Sequence, residues 1–426
     1  MEDHEVELQE LSHSRYRICY PAEGVVVVAD RVRDIHDGIK AELTVYDLTG
    51  RQLYFASVNL LSSSWRKSVA AACAERLPAS WTDIVDDVCT RVVRAYRTPR
   101  APQRLSEVRQ QADQYLLWPL LLRDAPVILY ADGGAGKSLL ALALAIQVAT
   151  GRTVVPGTRL EVAPTGVLYL DWEDTETIHA ARMAKLCNGL GIPMPENLWH
   201  LRMHAPLRDC VDEVEAFIRE HQVGLVDVDS LALAAGADPW AAEPILEVYR
   251  ALRQLGCASL VVAHISKSDL AGRDRRPYGS VFARNAARSA WELQQVATSD
   301  GQMGLILRHT KSNWGPRHRP LAMRVIFDDP GNTIRVKQAT VSELAQEGEA
   351  DQLDRREVII DFIRSRGQVT VKDVAALIGC SESAAKNLLH RMRQQGVLFS
   401  VLEDGTTRWM LAARRRHIEE AAPDWL

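Results

Sequence analysis

The sequence predicts an α/β protein whose central domain is a parallel sheet flanked by helices, with a smaller domain on either side. Three observations lead to this fold class. In the middle of the chain, short apolar runs that end in glycine or acidic residues alternate with segments of helical periodicity, which is the pattern of a parallel sheet with crossover helices. Residues 1–102 instead place strand patterns before helical ones, and residues 352–415 carry three helical patterns followed by a hairpin pattern. The predicted domains are therefore 1–102, 103–345 and 352–415.

The composition is that of an ordinary globular chain. Its 426 residues exceed what one compact core usually holds. Charged residues make up 25% and hydrophobic residues 47%, and no uncharged apolar run approaches the length of about 18 residues that a membrane helix needs. The seven cysteines form no CxxC pair, so we expect reduced thiols in a cytoplasmic protein without a membrane segment. The formal net charge of −4 argues against a protein that coats nucleic acid throughout, but it allows a local basic patch.

Residues 1–102 predict a small α+β domain. The strand patterns lie at 15–20, 24–29, 40–46 and 53–60, and the helical patterns lie at 64–77 and 81–96. The segment Asp47-Leu-Thr-Gly50 suits a hairpin turn between the last two strands. No catalytic constellation stands out in this domain, so we expect it to have a docking or regulatory role.

The segment 127–140 predicts a phosphate-binding loop. An apolar strand pattern passes through ADGGAGKS into a helical run of alanine and leucine, and this is the P-loop pattern with Ala131 where a glycine usually stands. Its glycines allow backbone amides to turn around a phosphate at the N-terminus of the helix. Lys137 then neutralises the phosphates of ATP, and the Ser138 hydroxyl is a ligand for Mg²⁺. The expected nucleotide-binding residues are Gly133, Gly134, Ala135, Gly136, Lys137, Ser138 and Leu139.

A second strand pattern, at 166–170, ends in the acidic sequence Asp171-Trp-Glu173-Asp174. Acidic groups at the carboxyl end of a parallel strand lie where open α/β sheets bind their ligands. Glu173 is therefore the candidate for polarising the water that attacks ATP. The alternative is that Glu173 only caps the helix that starts near Thr175, although Asp174 fits that N-cap position better.

A third apolar strand pattern, at 223–230, also closes on an acid. This is the Walker B arrangement, in which Asp229 is held near the coordination sphere of Mg²⁺. Asp227 lies on the same face by period-two counting, and a second acid inside a buried strand is unexpected. Either Asp227 supports Asp229, or the strand ends before these residues.

A fourth strand pattern, at 258–265, brings His264 to the same edge of the sheet. A histidine at this place can contact the γ-phosphate and transmit the effect of losing that phosphate to the next loop. The alternative is that the histidine is simply hydrogen-bonded at the sheet edge. The loop that follows, 267–277, is polar and mostly basic. Its Arg273, Arg275 and Arg276 suit a DNA backbone, with a merely solvated loop as the alternative.

Residues from about 104 to 340 resemble the RecA-like P-loop ATPases, in particular the branch that contains the plasmid replicative helicase RepA. The segments that carry the resemblance are ADGGAGKS, GVLYLDWED, VGLVDVDSLA, LVVAHISKS, PYGSVFARNAARSAWEL and LRHTKSNWGPRHRP. The resemblance implies a RecA-like core of parallel strands and helices that assembles into a homo-oligomer, a hexameric ring or a helical filament, with ATP between subunits. It also implies single-stranded DNA in a central pore, contacted by loops such as 235–243 and 267–278.

The same resemblance implies residues that act on the ATP of a neighbouring subunit. Arg288 matches the place of an arginine finger, and Lys311 resembles the basic γ-phosphate contact of DnaB-like helicases. Such cations offset the charge that develops on the transferred phosphoryl group. Asn313 stands where that motif usually has an arginine. For both cations an ordinary surface salt bridge is the alternative.

Residues 352–415 resemble a winged-helix domain. Helical patterns at 355–366, 371–378 and 381–395 precede a hairpin pattern at 397–411, and Ser381 is the natural N-cap of the third helix. The residues of that helix that suit DNA are Lys386, Asn387 and Arg391. Winged helices also serve as protein-docking modules, and this alternative stays open.

Together these features predict a Mg²⁺-dependent ATPase that oligomerises and couples ATP hydrolysis to DNA binding or remodelling. A helicase or helicase-like role in the replication or maintenance of a mobile element fits best. Two alternatives remain. One is an ATP-switched DNA-binding regulator, and the other is a defence or signalling ATPase whose N-terminal domain senses a partner.

Overall fold

The structure is a computed structural model that describes residues 6–12, 14–98, 104–106, 114–236, 241–265, 282–296, 301–347 and 354–412. The chain divides into two compact units, Met1–Gln111 and Ala112–Leu426. No helix among these residues is long and apolar enough to cross a membrane.

The first unit is an antiparallel sheet followed by helices. Its strands are β1 (Glu7–Ser12), β2 (Arg15–Tyr20), β3 (Val25–Ile35), β4 (Gly38–Asp47) and β5 (Gln52–Asn59), and its helices are α1 (Ser63–Ala74) and α2 (Trp81–Arg97). The strands pair in sequence order. Burial alternates along β4, and the inward side chains pack against the two helices. At the β4–β5 turn, the Asp47 carboxylate accepts from the amides of Thr49 and Arg51.

The second unit contains a sheet that has nine strands in the described residues. In spatial order they are β11 (Leu198–Arg202), β10 (Gly166–Asp171), β12 (Val223–Asp229), β13 (Ala258–His264), β8 (Pro126–Ala131), β14 (Ser289–Val296), β15 (Gln302–Ser312), β16 (Leu321–Asp328) and β17 (Thr333–Ala339). The six strands from β11 to β14 are parallel. The last three extend the sheet in antiparallel fashion, so this is a mostly parallel α/β sheet of the kind that P-loop NTPases have.

Helices cover both faces of the parallel strands. They are α3 (Lys137–Thr150), α4 (Glu176–Leu190), α5 (Val211–Glu220), α6 (Leu231–Ala235), α7 (Ala242–Leu255) and α8 (Phe282–Ala286). The central strands are buried along their whole length, because one core packs them on α3 and a second packs them on α5–α7. A small sheet of β6 (Tyr115–Trp118), β7 (Leu121–Leu122) and β9 (Arg159–Leu160) lies beside them.

The remaining elements form a helical segment with a terminal hairpin. They are α9 (Val341–Glu347), α10 (Arg355–Arg366), α11 (Val371–Leu377), α12 (Glu382–Gln394), β18 (Leu398–Glu403) and β19 (Thr406–Leu411). Thr370 and Asp373 form a capping box on α11. The Ser381 hydroxyl accepts from the Ala384 amide at 3.2 Å, so Ser381 is the N-cap of α12 as expected. One apolar core joins this segment to strands β14–β16 of the large sheet.

Candidate nucleotide site

The P-loop links β8 to α3 at the carboxyl end of the central strands. Gly134 and Gly136 have φ values of +75° and +85°, a region that glycine enters without steric cost. A Cβ on Gly136 would also lie 2.9 Å from the Cε of Met303. The Ser138 side chain lies near enough to the Asp229 carboxylate at the end of β12 to lower the pKa of that carboxylate. The structure therefore brings the two expected Mg²⁺ ligands together from elements far apart in the sequence.

Lys137 follows the P-loop, and its side chain is buried against that loop. Its ammonium donates to the carbonyls of Ala131 at 3.2 Å and Asp132 at 2.7 Å, and it lies 3.3 Å from Nδ1 of His264. Burial lowers the pKa of Lys137, and the charges of Asp229 and Glu173 oppose this effect. Phosphate oxygens could replace the two carbonyls as acceptors for this cation.

Glu173 faces the P-loop from the end of β10. Its carboxylate accepts from the Ser230 hydroxyl at 2.5 Å, and its Oε1 lies 3.7 Å from Nε2 of His264. The nearby His264 ring lowers the pKa of Glu173, burial opposes this, and the hydrogen bond from Ser230 lowers it further. Glu173 is therefore ionised at neutral pH and can accept a hydrogen bond from a water molecule. His264 bridges the two expected catalytic groups, since its two ring nitrogens face Lys137 and Glu173.

Asp171 holds the loop that carries Glu173, a role that the sequence did not reveal. Its Oδ1 accepts from the backbone amides of Glu173 at 2.6 Å and Asp174 at 2.9 Å. Its Oδ2 lies 2.5 Å from Nε2 of His179, in the first turn of α4, and 3.8 Å from Nε2 of His200. Burial raises the pKa of Asp171, but the hydrogen bond with His179, the nearby His200 ring and the bonds from both amides outweigh this and hold the pKa below its usual range.

The expectation that Asp174 is the N-cap of the next helix was wrong. Helix α4 begins one residue later than that expectation requires, with Thr175 at the N-cap position. Asp174 instead pairs with Arg182 at 2.9 Å. The reason is that the backbone amide of Asp174 donates to the Asp171 carboxylate. The Asp174 side chain therefore extends along the helix surface.

The two aspartates of β12 have different surroundings. Strand β12 continues through Asp229, so the alternative that the strand ends earlier was wrong. Asp229 accepts from the Tyr169 hydroxyl at 2.8 Å, yet burial raises its pKa despite the opposing effects of Ser138 and Tyr169. Asp227 is fully buried, and neither carboxylate oxygen has a hydrogen-bond partner among the described residues. Burial first, and then the charge of Asp229, raise the pKa of Asp227 well above its usual value.

Arg288 and Lys311 lie away from the P-loop of their own chain. Ser289 pairs with Val127 near the start of β8, whereas the P-loop follows the end of that strand, about 13 Å further along at about 3.3 Å per residue. The Arg288 side chain is exposed. The Lys311 ammonium donates to three backbone carbonyls at the end of α8, those of residues 284, 285 and 287, at 2.6 to 2.9 Å. Within one chain these cations cannot complete the site.

The residues expected to contact DNA fall into two groups. Lys386, Asn387 and Arg391 are exposed on α12, whereas Ala385 and Leu389 of the same helix are buried. Arg273, Arg275 and Arg276 lie outside the described residues.

Changing Asp171 tests whether it positions the Glu173 loop. In Asp171→Asn the amide group cannot accept from both backbone amides and His179 as a carboxylate does, so we expect kcat to fall by about tenfold to a hundredfold, because misplaced catalytic groups cost that much. Binding of ATP should be retained. The matched control is Asp174→Asn, which removes a neighbouring, partly exposed charge and should leave turnover within about twofold. Equal turnover in both variants would exclude the positioning role of Asp171.

Comparison with known proteins agrees with this geometry. The family model of an AAA domain matches residues 93–269. A search of the curated proteins found no match. The matched range contains the P-loop, Glu173, Asp229 and His264, which the fold brings to one edge of the sheet. The chain therefore carries a P-loop ATPase domain.

Proposed function

We propose that this protein is a Mg²⁺-dependent ATPase that assembles into a homo-oligomer and couples ATP hydrolysis to the binding and remodelling of DNA, as a helicase-like protein does. The observation that carries the ATPase part is the convergence of Ser138, Asp229 and Glu173 beside Lys137. The setting is a RecA-like core in the replication or maintenance of a mobile element.

The residues present fit a bound Mg²⁺ ion. Ser138 and Asp229 offer adjacent hydroxyl and carboxylate oxygens, the ligands that this ion prefers. Burial raises the pKa of Asp229, so a cation beside it would restore its charge. When bound, Mg²⁺ neutralises the negative charge of the phosphates and of the leaving group.

The other residues of the site bind and orient the reactants. The backbone amides at the N-terminus of α3 and the ammonium of Lys137 hold the β- and γ-phosphates of ATP. The Glu173 carboxylate accepts a hydrogen bond from the attacking water and turns its lone pair towards the γ-phosphorus. His264, between Lys137 and Glu173, contacts the γ-phosphate and responds when that phosphate is released.

The positions of two cations in one chain support the proposed oligomer. Arg288 lies at the end of the sheet opposite its own P-loop, so it can serve only the ATP of a neighbour. Lys311 can join it once contact with a second subunit replaces its carbonyl partners. Burial, and then the charges of Arg284 and Arg288, lower the pKa of Lys311. A neighbour's phosphate would relieve this repulsion between cations.

The DNA part of the proposal rests on the C-terminal segment. Lys386, Asn387 and Arg391 share the exposed side of α12, and the hairpin of β18 and β19 follows directly. This order of three helices and a hairpin is that of a winged helix, whose third helix enters the major groove. This segment shares an apolar core with the large sheet. A movement of the sheet that depends on ATP would therefore be transmitted directly to the segment.

The test is the steady-state rate of ATP hydrolysis with no DNA, with single-stranded DNA and with duplex DNA, measured with and without Mg²⁺. We expect strong stimulation by single strands and no activity in the absence of the metal. Lys137→Ala protein is the control for contaminating ATPases. A rate that neither DNA changes would contradict the coupling to DNA while leaving the ATPase assignment in place.

A mixing experiment tests the role of Arg288 in a neighbouring site. Arg288→Ala and Lys137→Ala proteins should each be inactive, because every site then lacks one essential cation. A mixture should regain part of the activity, since some interfaces join an intact P-loop to an intact Arg288. Arg335→Ala, which removes an exposed arginine from strand β17, should keep its activity alone. If the mixture stays inactive, Arg288 does not act between subunits.

A further inference from the structure

A cavity lies between the large sheet and the C-terminal helices, inside the unit Ala112–Leu426. Its volume is about 640 Å³, which is within the range of small-ligand sites. The segment that leads into β16 supplies Arg317 and Arg319, and helix α10 supplies Arg364. We call it the arginine cavity after these three residues.

The arginine cavity carries an excess of positive charge. Its three arginines form no ion pair with any of the described residues. The acidic residue among the lining side chains is Asp361, whose Oδ2 accepts from the Ser342 amide at 3.1 Å and hydroxyl at 3.2 Å. Three positive charges therefore face one negative charge, an excess of two. Burial lowers the pKa of His318, so this residue adds no charge at neutral pH.

Two of the arginines repel each other. Partial burial, followed by the nearby charge of Arg319, lowers the pKa of Arg364. Asp361 offsets only part of this repulsion, and an anion between the arginines would remove the rest of its cost. Guanidinium groups prefer phosphate and carboxylate because their planar donors bind both oxygens of such a group.

An aromatic side chain lies at the same cavity. Trp118 is 38% exposed, so part of its ring is accessible from the solvent. The edge of its ring meets His318 at a centroid distance of 5.5 Å, and the Arg159 guanidinium lies 5.6 Å from its centroid. Arginines beside an accessible aromatic ring are the combination that binds single-stranded nucleic acid, in which bases stack and phosphates meet cations.

We propose that the arginine cavity binds a DNA single strand, with its phosphates on Arg317, Arg319 and Arg364 and a base against Trp118. This inference rests on the proposed function, and it adds a contact site that neither the loops after β12 and β13 nor helix α12 provide. Arg319 precedes strand β16 of the large sheet, and Arg364 lies on helix α10. One bound DNA single strand would therefore connect the large sheet to the C-terminal helices.

The test uses the full chain and a fluorescein-labelled 20-nucleotide oligo-dT, with binding followed by anisotropy over a range of salt concentrations. The variant is Arg319→Gln/Arg364→Gln. We expect its Kd to rise by tenfold or more, and the slope of log K against log salt to become shallower by about 1.4, because each lost phosphate contact contributes about 0.7 for single strands. Trp118→Ala should weaken binding by about fivefold or more, with little change in the slope.

The matched control is Arg335→Gln/Lys337→Gln, which removes the same charge from exposed positions of β17 outside the cavity. Thermal melting of both double variants should coincide with that of the wild type, which excludes unfolding as the cause. If both double variants bind alike, the cavity is not the site, although the protein still binds DNA. If the wild type itself does not bind the oligonucleotide at low salt, this inference is wrong, and binding of duplex DNA then tests the DNA part of the proposed function separately.

Discussion

Replacing Lys137 with alanine is expected to abolish ATP binding and hydrolysis together. Lys137 is 5% exposed, and its ammonium points into the loop that would surround the phosphates. A cation held in this way interacts strongly with a polyphosphate because little water screens it. Without it we expect Kd for ATP to rise by at least a hundredfold, consistent with the loss of about 3 kcal/mol that a charged hydrogen bond contributes.

Equilibrium binding of a fluorescent ATP analogue measures this loss directly. The control is Lys185→Ala, which removes an ammonium that pairs with Asp329 at 2.8 Å on the surface of α4. That variant should bind ATP as the wild type does, since an exposed ion pair contributes at most about 1 kcal/mol to stability. If the Lys137→Ala protein binds ATP with unchanged affinity, the loop is not the phosphate site.

The parallel core was predictable from sequence because its strands are buried on both faces. Strands β10 and β13 were expected at 166–170 and 258–265, and they occupy Gly166–Asp171 and Ala258–His264. A strand without a solvent face has a continuous apolar run, and such a run is visible in one sequence. The rule that ligands bind at the carboxyl ends of these strands then selected Glu173 and Asp229.

The antiparallel part of the sheet was not predictable in the same way. Strand β14 lies beside β8, which is far away in the sequence, and no local pattern of residues specifies such a pairing. Strand β1 was missed because its sequence, ELQELS, is mostly polar and partly exposed. Both cases show that pairing partners and exposed edges depend on tertiary contacts more than on local propensity.

The candidate site was only partly predictable for a related reason. Glu173 and Asp171 stand two residues apart in one acidic run, and the sequence does not say which faces the ligand. The structure separates them, because β10 ends at Asp171 and turns that side chain towards His179. Asp171 thereby binds the backbone of the loop, and the Glu173 carboxylate faces the P-loop. The position of His179 on the following helix was the signal that could have revealed this pair.

Glu173→Gln is expected to separate ATP binding from hydrolysis. Glutamine keeps the size of the side chain and can still accept from the Ser230 hydroxyl, so the loop should keep its shape. It has no negative charge with which to polarise a water molecule. The loss of a general base typically lowers turnover by about 10² to 10⁴, and we expect kcat to fall in that range.

Binding and turnover are measured on the same preparation, with kcat from phosphate release and Kd from the fluorescent analogue. The Kd should stay within about threefold of the wild-type value, because Lys137 and the amides of the P-loop supply most of the affinity. The control is Glu176→Gln, which removes an exposed acid from the first turn of α4 and should leave both constants nearly unchanged. Wild-type turnover in Glu173→Gln would remove Glu173 from the mechanism. A joint loss of binding and turnover would instead mean that Glu173 shapes the nucleotide pocket and does not act on water.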